Sequence, residues 1–177
     1  MPHKPRKRFG QNFLVDQQII NQIVSTISPK KNDHIIEIGP GKGALTFPLI
    51  DYLENIHVIE IDRDLIALLQ KKNNLKITIH ESDALVFNFD QFKQKVRIVG
   101  NLPYNISSPL LFHLLNYRDN IIDMTFMLQK EVVDRIVASP GNKTYGRLSV
   151  LMQAFFEVES MFVVPKESFD PQPKIES

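Results

Sequence analysis

Hydrophobic residues in this chain fall into short apolar runs that alternate with stretches of helical periodicity. Runs typical of strands occupy residues 34–39, 57–62, 76–81, 95–101 and 123–129, and a last strand is predicted within 156–164. Apolar positions at helical spacing occupy residues 16–28, 43–53, 63–72, 109–117, 130–139 and 146–155. The alternation predicts an α/β fold with a doubly wound, mostly parallel sheet. Ligands of such sheets bind beyond the carboxyl ends of the strands, so the residues that follow each strand are the candidate functional residues.

Length and composition limit the class of protein. The 177 residues are enough for one domain with a sizeable core, and no apolar stretch approaches the roughly 18 residues of a membrane span. Cysteine is absent, which excludes disulfides, thiolate zinc sites and cysteine nucleophiles and suits a cytoplasmic protein. The five histidines are scattered without ligand spacing, so we expect no metal site.

The net charge is only +1, but it is unevenly distributed. The first ten residues carry four cations and no acid; the cations are Lys4, Arg6, Lys7 and Arg8. No apolar region follows them, so this segment is not a secretory signal. Two interpretations stay open: a solvated tail, or an arm that contacts phosphates.

A glycine-rich turn follows the first predicted strand. The sequence EIGPGKGALT places Gly39, Gly41 and Gly43 between that strand and a helix, where small residues let the backbone approach a ligand. The second strand ends in Glu60, with Asp62 two residues on. An acid about twenty residues after the first glycine holds the ribose diol in dinucleotide folds. Together the glycines and the acid predict a nucleoside cofactor.

The glycine spacing selects among nucleoside cofactors. Dinucleotide sites use G-x-G-x-x-G, whereas this chain has G-x-G-x-G with Glu37 two residues before the first glycine. The pattern resembles the first motif of the S-adenosylmethionine-dependent methyltransferases, and it argues against a nicotinamide-dependent dehydrogenase. Asp83 follows the third strand, where a lone aspartate is usually a turn former or helix cap. Within this set we favour a hydrogen bond from the exocyclic amine of the cofactor adenine.

The fourth strand delivers Asn101-Leu102-Pro103-Tyr104 to the same edge of the sheet. A random N-x-P-Y would be a proline turn with a surface tyrosine. Beside a methyl donor, the Asn101 side-chain oxygen and the Leu102 carbonyl can accept both hydrogens of an adenine N6 amine and concentrate its delocalised lone pair on nitrogen. Pro103 stiffens the loop and has no N–H to compete. Tyr104 can stack on the base, which is worth about 1–3 kcal/mol.

The chain as a whole resembles the ribosomal RNA adenine N6,N6-dimethyltransferases, the family whose bacterial small-subunit member underlies kasugamycin sensitivity. The resemblance rests on RFGQNFL (8–14), EIGPGKGALT (37–46), VIEIDRDL (58–65), SDAL (82–85), GNLPYNISSPLL (100–111), YGRLSV (145–150) and FDPQPKIES (169–177). It implies a Rossmann-like class I S-adenosylmethionine-dependent methyltransferase fold. The implied cofactor contacts are Asn12, Leu14, Gly39, Gly41, Glu60, Asp83 and Asn101. Tyr104 and Phe169 are the implied rings around the target adenosine; on its own, Phe169 would be a loop anchor in the core.

The resemblance also implies a substrate. The family converts two adjacent adenosines in a small-subunit rRNA hairpin loop to N6,N6-dimethyladenosine, with four molecules of S-adenosylmethionine. The target base must be unstacked, which costs less in a loop than in a helix. The expected partner is the immature small ribosomal subunit, and a monomer is the default. Two alternatives stay open: the erythromycin-resistance branch, which acts on large-subunit rRNA, and a mainly non-catalytic ribosome-assembly factor.

In the family a final strand and a small helical RNA-binding domain follow the point where this sequence ends. We therefore expect residues 1–177 to form the catalytic domain, with a sheet that lacks its final strand. We expect this chain to bind the cofactor but to methylate a small-subunit particle poorly.

Overall fold

The computed structural model describes residues 11–174 and 176–177, so the basic segment 1–10 lies outside the described residues. The strands are β1 (Phe13–Leu14), β2 (Ile35–Ile38), β3 (Ile56–Glu60), β4 (Ile77–Glu81), β5 (Val96–Asn101), β6 (Ile121–Met127) and β7 (Phe169–Asp170). The helices are α1 (Gln17–Ile27), α2 (Thr46–Ile50), α3 (Arg63–Lys71), α4 (Ser107–Leu115), α5 (Lys130–Ile136) and α6 (Arg147–Phe155). None of the helices in this part of the chain has the length and hydropathy that a bilayer span requires.

Five strands form a parallel sheet in the order β4-β3-β2-β5-β6, which confirms the predicted doubly wound architecture. The interior strands are buried along most of their length because helices cover both faces, whereas β4 at the edge is only partly buried. Chain order reverses on either side of β2. The carboxyl ends of β2 and β5 therefore flank the switch point where such sheets bind ligands.

Each face of the sheet has its own apolar layer. On one face, α1 and α2 pack with Ile35, Ile56 and Val58. On the other, α4, α5 and α6 pack with Ile36, Ile98 and the buried ring of Phe89. Helix α1 begins where the sequence predicted, because the Asp16 carboxylate accepts hydrogen bonds from the N–H groups of Gln18 and Ile19.

Arg97 fastens the amino-terminal helix to the sheet. Its guanidinium donates to Asp33 at 2.6 Å, to Asp123 at 2.9 Å and to the carbonyl of Ile27, at the end of α1, at 2.7 Å. The Arg97 side chain is only 14% exposed. This network fixes α1, β5 and β6 relative to one another.

One expectation about local structure is wrong. Residues 156–164 do not form a strand: a cavity of about 550 Å³ lies between them and the outer edge of β6, so they have no sheet neighbour to pair with. Only Val164 bonds in a strand-like manner, exchanging backbone hydrogen bonds of 2.6 and 3.2 Å with Ser177. Residues 11–14 contain β1, which pairs antiparallel with β7.

Candidate active site

A cavity of about 350 Å³ lies at the carboxyl ends of β2, β3 and β5. Ile38, at the end of β2, pairs with Gly100, so the segments that follow these two strands start side by side. Every residue predicted for the site lines this one cavity: Asn12, Leu14, Gly39, Gly41, Glu60, Asp83, Asn101, Leu102, Pro103, Tyr104 and Phe169. The structure therefore brings together all the candidates that the sequence scatters over some 160 positions.

The glycine turn forms the floor of the cavity. The Gly39 N–H donates to the Ile59 carbonyl at 2.9 Å, which holds the turn against β3. Gly41 has φ of +57°, and a Cβ there would lie 3.2 Å from ring carbons of Phe13. This position therefore needs glycine both for its left-handed backbone and for the close approach of an aromatic ring.

Glu60 joins the end of β3 to the glycine turn. Its carboxylate accepts hydrogen bonds from the backbone N–H groups of Gly41 at 3.3 Å, Ile61 at 3.0 Å and Asp62 at 3.0 Å. Burial raises the pKa of Glu60 above its ordinary value, and these three bonds oppose the shift. The carboxylate is thus held rigidly at the cavity wall, where its remaining lone pairs can accept from a diol.

Glu37 lines the cavity but is not among the residues that the sequence predicts for the site. The side chain is 2% exposed, and the Thr46 hydroxyl donates to it at 2.6 Å. The pKa of Glu37 is raised to about 7, mainly by burial and to a smaller extent by the neighbouring Glu60, while the Thr46 bond opposes the shift. A carboxyl with this pKa can lose its proton near neutral pH when a cation enters the adjoining cavity. The sequence feature that could have indicated a role for Glu37 is its place as an acidic residue inside an otherwise apolar strand.

Asp83 forms a local turn and also lines the cavity. Its Oδ1 accepts from the Leu85 N–H at 2.9 Å, which closes a turn after β4. The same residue lines the cavity on the side away from Asn101. The turn bond positions the carboxylate and leaves a second oxygen for a ligand amine.

In the loop after β5, the Leu102 and Pro103 carbonyls differ in their hydrogen bonding. The Leu102 side chain is 4% exposed and its N–H donates to Met127 at 3.1 Å. The Pro103 carbonyl accepts from the Ile106 N–H and the Ser107 hydroxyl, both at 3.1 Å. Among the described residues no donor bonds to the Leu102 carbonyl, which is the acceptor that the sequence predicted for a substrate amine.

Residues 11–14, here named the strap, cross the cavity from one side of the switch point to the other. On the β3 side of β2, the Gln11 side chain donates to the Asp62 carboxylate at 2.9 Å. On the β5 side, the Asn101 side-chain amide donates to the Asn12 carbonyl at 3.0 Å. β1 within the strap pairs with β7, where Phe169 is 3% exposed and packs in the core. Tyr104, by contrast, is 44% exposed at the cavity mouth.

Comparison with known proteins identifies the family. The model of the ribosomal RNA adenine dimethylase family matches residues 2–177. The chain belongs to this family. It is therefore an enzyme that uses S-adenosylmethionine to methylate adenine in ribosomal RNA, which confirms the predicted reaction, cofactor and fold class.

Curated relatives agree with the family model. The chain is 55% identical over 178 residues to a ribosomal RNA small subunit methyltransferase A of Nitrosospira multiformis, covering 100% of this chain and 69% of that protein. It is 57% identical to the protein of the same name from Dechloromonas aromatica, again covering 69% of it.

Solved structures share the fold. A dimethyladenosine transferase from Plasmodium falciparum has a TM-score of 0.84 and 31% identity, covering 93% of this chain and 60% of that one. The 23S rRNA methyltransferase ErmE has a TM-score of 0.80 and 28% identity, covering 93% of this chain and 66% of that one.

Proposed function

We propose that this protein transfers methyl groups from S-adenosylmethionine to N6 of two adjacent adenosines in a hairpin loop of small-subunit rRNA, giving N6,N6-dimethyladenosine. The observation that carries the proposal is the Asn101–Tyr104 loop, whose two acceptors and exposed ring border the same cavity as the nucleoside-binding residues. The small-subunit target follows the names of the curated relatives.

The Asn101–Tyr104 loop accounts for the chemistry at the substrate amine. The N6 lone pair is delocalised into the adenine ring, so the amine is a weak nucleophile. The Asn101 Oδ1 and the Leu102 carbonyl accept its two hydrogens, favour a tetrahedral nitrogen and stabilise the positive charge that develops as the methyl group arrives. The N–H becomes acidic after transfer, so no strong general base is required. Tyr104 holds the base by stacking, and Phe169 contributes the second ring.

The remaining cavity residues bind the cofactor. Glu60 accepts from the ribose hydroxyls, and Asp83 accepts from the adenine amine of the cofactor. Gly39 and Gly41 let the methionine part approach the backbone, and Asn12 and Leu14 cover it from the strap. S-adenosylmethionine supplies the electrophilic methyl group when it is bound.

Residues 1–177 act as the catalytic domain, and the partner is the immature small ribosomal subunit in the cytoplasm. The chain spans 69% of the length of each of the two curated relatives named above. Parts of those relatives beyond the matched region are expected to strengthen binding to the particle, so this chain alone should transfer methyl groups to it slowly. The enzyme acts as a monomer.

The test is a methyl-transfer assay with labelled S-adenosylmethionine and small-subunit particles that lack the modification, with large-subunit RNA as the comparison. Mass spectrometry identifies the labelled nucleotide. We expect dimethyladenosine in the small-subunit RNA. Label in the large-subunit RNA alone would instead support the erythromycin-resistance type of reaction.

The matched variant is Asn101→Ala, with Asn105→Ala as its control in the same loop. Asn101→Ala should fold normally and abolish transfer, because it removes the acceptor for the amine. Persistent turnover by this variant would contradict the proposed role of Asn101. The wild type tests the assembly-factor alternative. That alternative is favoured if the wild type binds the particle normally but transfers no methyl groups during a prolonged incubation.

A further inference from the structure

We propose that the strap is a positioning element for Asn101: the main-chain carbonyl of Asn12 fixes the orientation of the Asn101 amide so that its oxygen, rather than its nitrogen, faces the substrate amine. The inference rests on the proposed function for its catalytic meaning, but its geometry is a property of the protein without ligands. It gives Asn12 a role besides cofactor contact.

The first step concerns the two ends of an amide. An asparagine side chain presents an oxygen that accepts and a nitrogen that donates, and a half-turn about its last bond exchanges them. An oxygen beside the N6 amine activates it, whereas an NH2 group there would oppose its hydrogens. Since a carbonyl can only accept, the Asn101 atom 3.0 Å from the Asn12 carbonyl must be Nδ2. This bond leaves Oδ1 directed away from the strap.

The second step concerns what holds the Asn12 carbonyl. On one side, Gln11 donates to the Asp62 carboxylate at 2.9 Å. On the other, the Phe13 ring packs against Gly41, and the Lys42 ammonium lies 4.4 Å from the centre of that ring. The carbonyl is thus fixed between two anchors that belong to the glycine turn and the end of β3.

The third step connects the strap to the substrate rings. The Asn12 side-chain nitrogen lies 3.5 Å from the Tyr104 hydroxyl, a long contact that leaves the ring adjustable. Leu14 pairs with Phe169 in the β1–β7 ribbon. One short segment therefore contacts the amide acceptor and both proposed rings, so a displaced strap changes all three together.

A simpler role for the strap is that it only covers the cofactor. In that case, loosening it would weaken cofactor binding but leave the turnover rate at saturating cofactor unchanged. A positioning role predicts a lower kcat at saturation, because a misplaced acceptor no longer meets the amine. It also predicts a change at the Asn101 amide before any ligand is added.

The experiment compares Gln11→Ala and Phe13→Leu with the wild type. The control is Gln17→Ala, which removes an exposed side-chain hydrogen bond to Asn21 on α1. Side-chain amide signals in ¹⁵N NMR spectra of the ligand-free protein report the hydrogen bond from the Asn101 amide to the Asn12 carbonyl. The Asn101 signals are assigned as the NH2 pair that is missing from the spectrum of Asn101→Ala. kcat and the KM for S-adenosylmethionine are measured on the same proteins.

We expect Gln11→Ala and Phe13→Leu each to speed solvent exchange of the Asn101 amide and to lower kcat by about tenfold, with Gln17→Ala unchanged. Unchanged Asn101 signals and kcat in both strap variants, with only KM raised, would overturn the proposal. If no RNA substrate accepts methyl groups, the proposed function fails, yet the NMR comparison still decides whether the strap orients Asn101. Because Gln11→Ala leaves the core intact, a folding defect in Phe13→Leu does not prevent the test.

Discussion

Glu37→Gln should stabilise the folded protein, and by an amount that depends on pH. The carboxyl is buried in β2, and its pKa rises from 4.5 to about 7 on folding. Between these values the folded state holds a proton that the unfolded state has released, so the wild type loses stability as the pH rises through this range. Glutamine keeps an acceptor for the Thr46 hydroxyl and cannot ionise.

The magnitude follows from the two pKa values. They differ by about 2.5 pH units, and each unit corresponds to about 1.4 kcal/mol. Relative to the fully protonated state, the stabilisation should be about 0.8 kcal/mol at pH 5 and approach about 3 kcal/mol at pH 8.5. Urea unfolding from pH 5 to pH 8.5 measures it, with Glu54→Gln as the control, since that side chain is 60% exposed. A stability difference that does not change with pH, or one that grows toward acid, would refute the reasoning.

The same substitution should weaken the cofactor site. Glu37 lines the cavity, and the cation of S-adenosylmethionine favours its ionised form. Calorimetry on the wild type should therefore show proton release on cofactor binding near pH 7, and Glu37→Gln should abolish that release. Glu37→Gln is therefore expected to be more stable than the wild type but to bind the cofactor less well. This is the result expected if the buried carboxyl is kept for function at a cost in stability.

Three further predictions concern the sheet and the glycine turn. Arg97→Ala should lower the free energy of unfolding by about 3 kcal/mol in urea titrations without changing cofactor affinity, because it leaves two acids unpaired. Burial lowers the pKa of His57, and the neighbouring His80 lowers it as well, so the folded protein loses stability as the pH falls below 6.5. His57→Gln should therefore reduce the drop in the urea midpoint of unfolding between pH 7.5 and pH 5. Gly41→Ala should weaken S-adenosylmethionine binding about tenfold by calorimetry, because a Cβ strains a left-handed backbone and pushes against the Phe13 ring.

The sheet and its edge were predictable because the relevant signals are local. Largely apolar runs such as residues 96–99, in which Arg97 is the one charged residue, predicted the buried parallel strands. The alternation in residues 76–81 predicted the partly buried β4. Parallel topology then predicts that the glycine turn, Glu60 and Asn101 lie at one edge of the sheet. The chemistry of N6 methylation followed from residue types at that edge.

Features that depend on distant pairing were not predictable from the residues alone. Residues 156–164 have the alternation of a strand, but periodicity does not show whether a neighbouring edge is within reach. The β1 strand is two residues long, and its partner lies at the other end of the chain. The place of Phe169 at the cavity came from the family resemblance, because a lone phenylalanine in a proline-rich segment carries no signal of its own.

The ribbon of β1 and β7 has a consequence for how the enzyme is made. During synthesis Phe13 emerges from the ribosome early, but its pairing partner Asp170 emerges only after the five strands of the parallel sheet described here. Contacts this distant in sequence close late, because the loop-closure entropy must be overcome first. A nascent chain can therefore build its glycine turn and central strands while its substrate pocket is still open. We therefore expect the strap to be held over the cavity only once residues 169 and 170 have been synthesised.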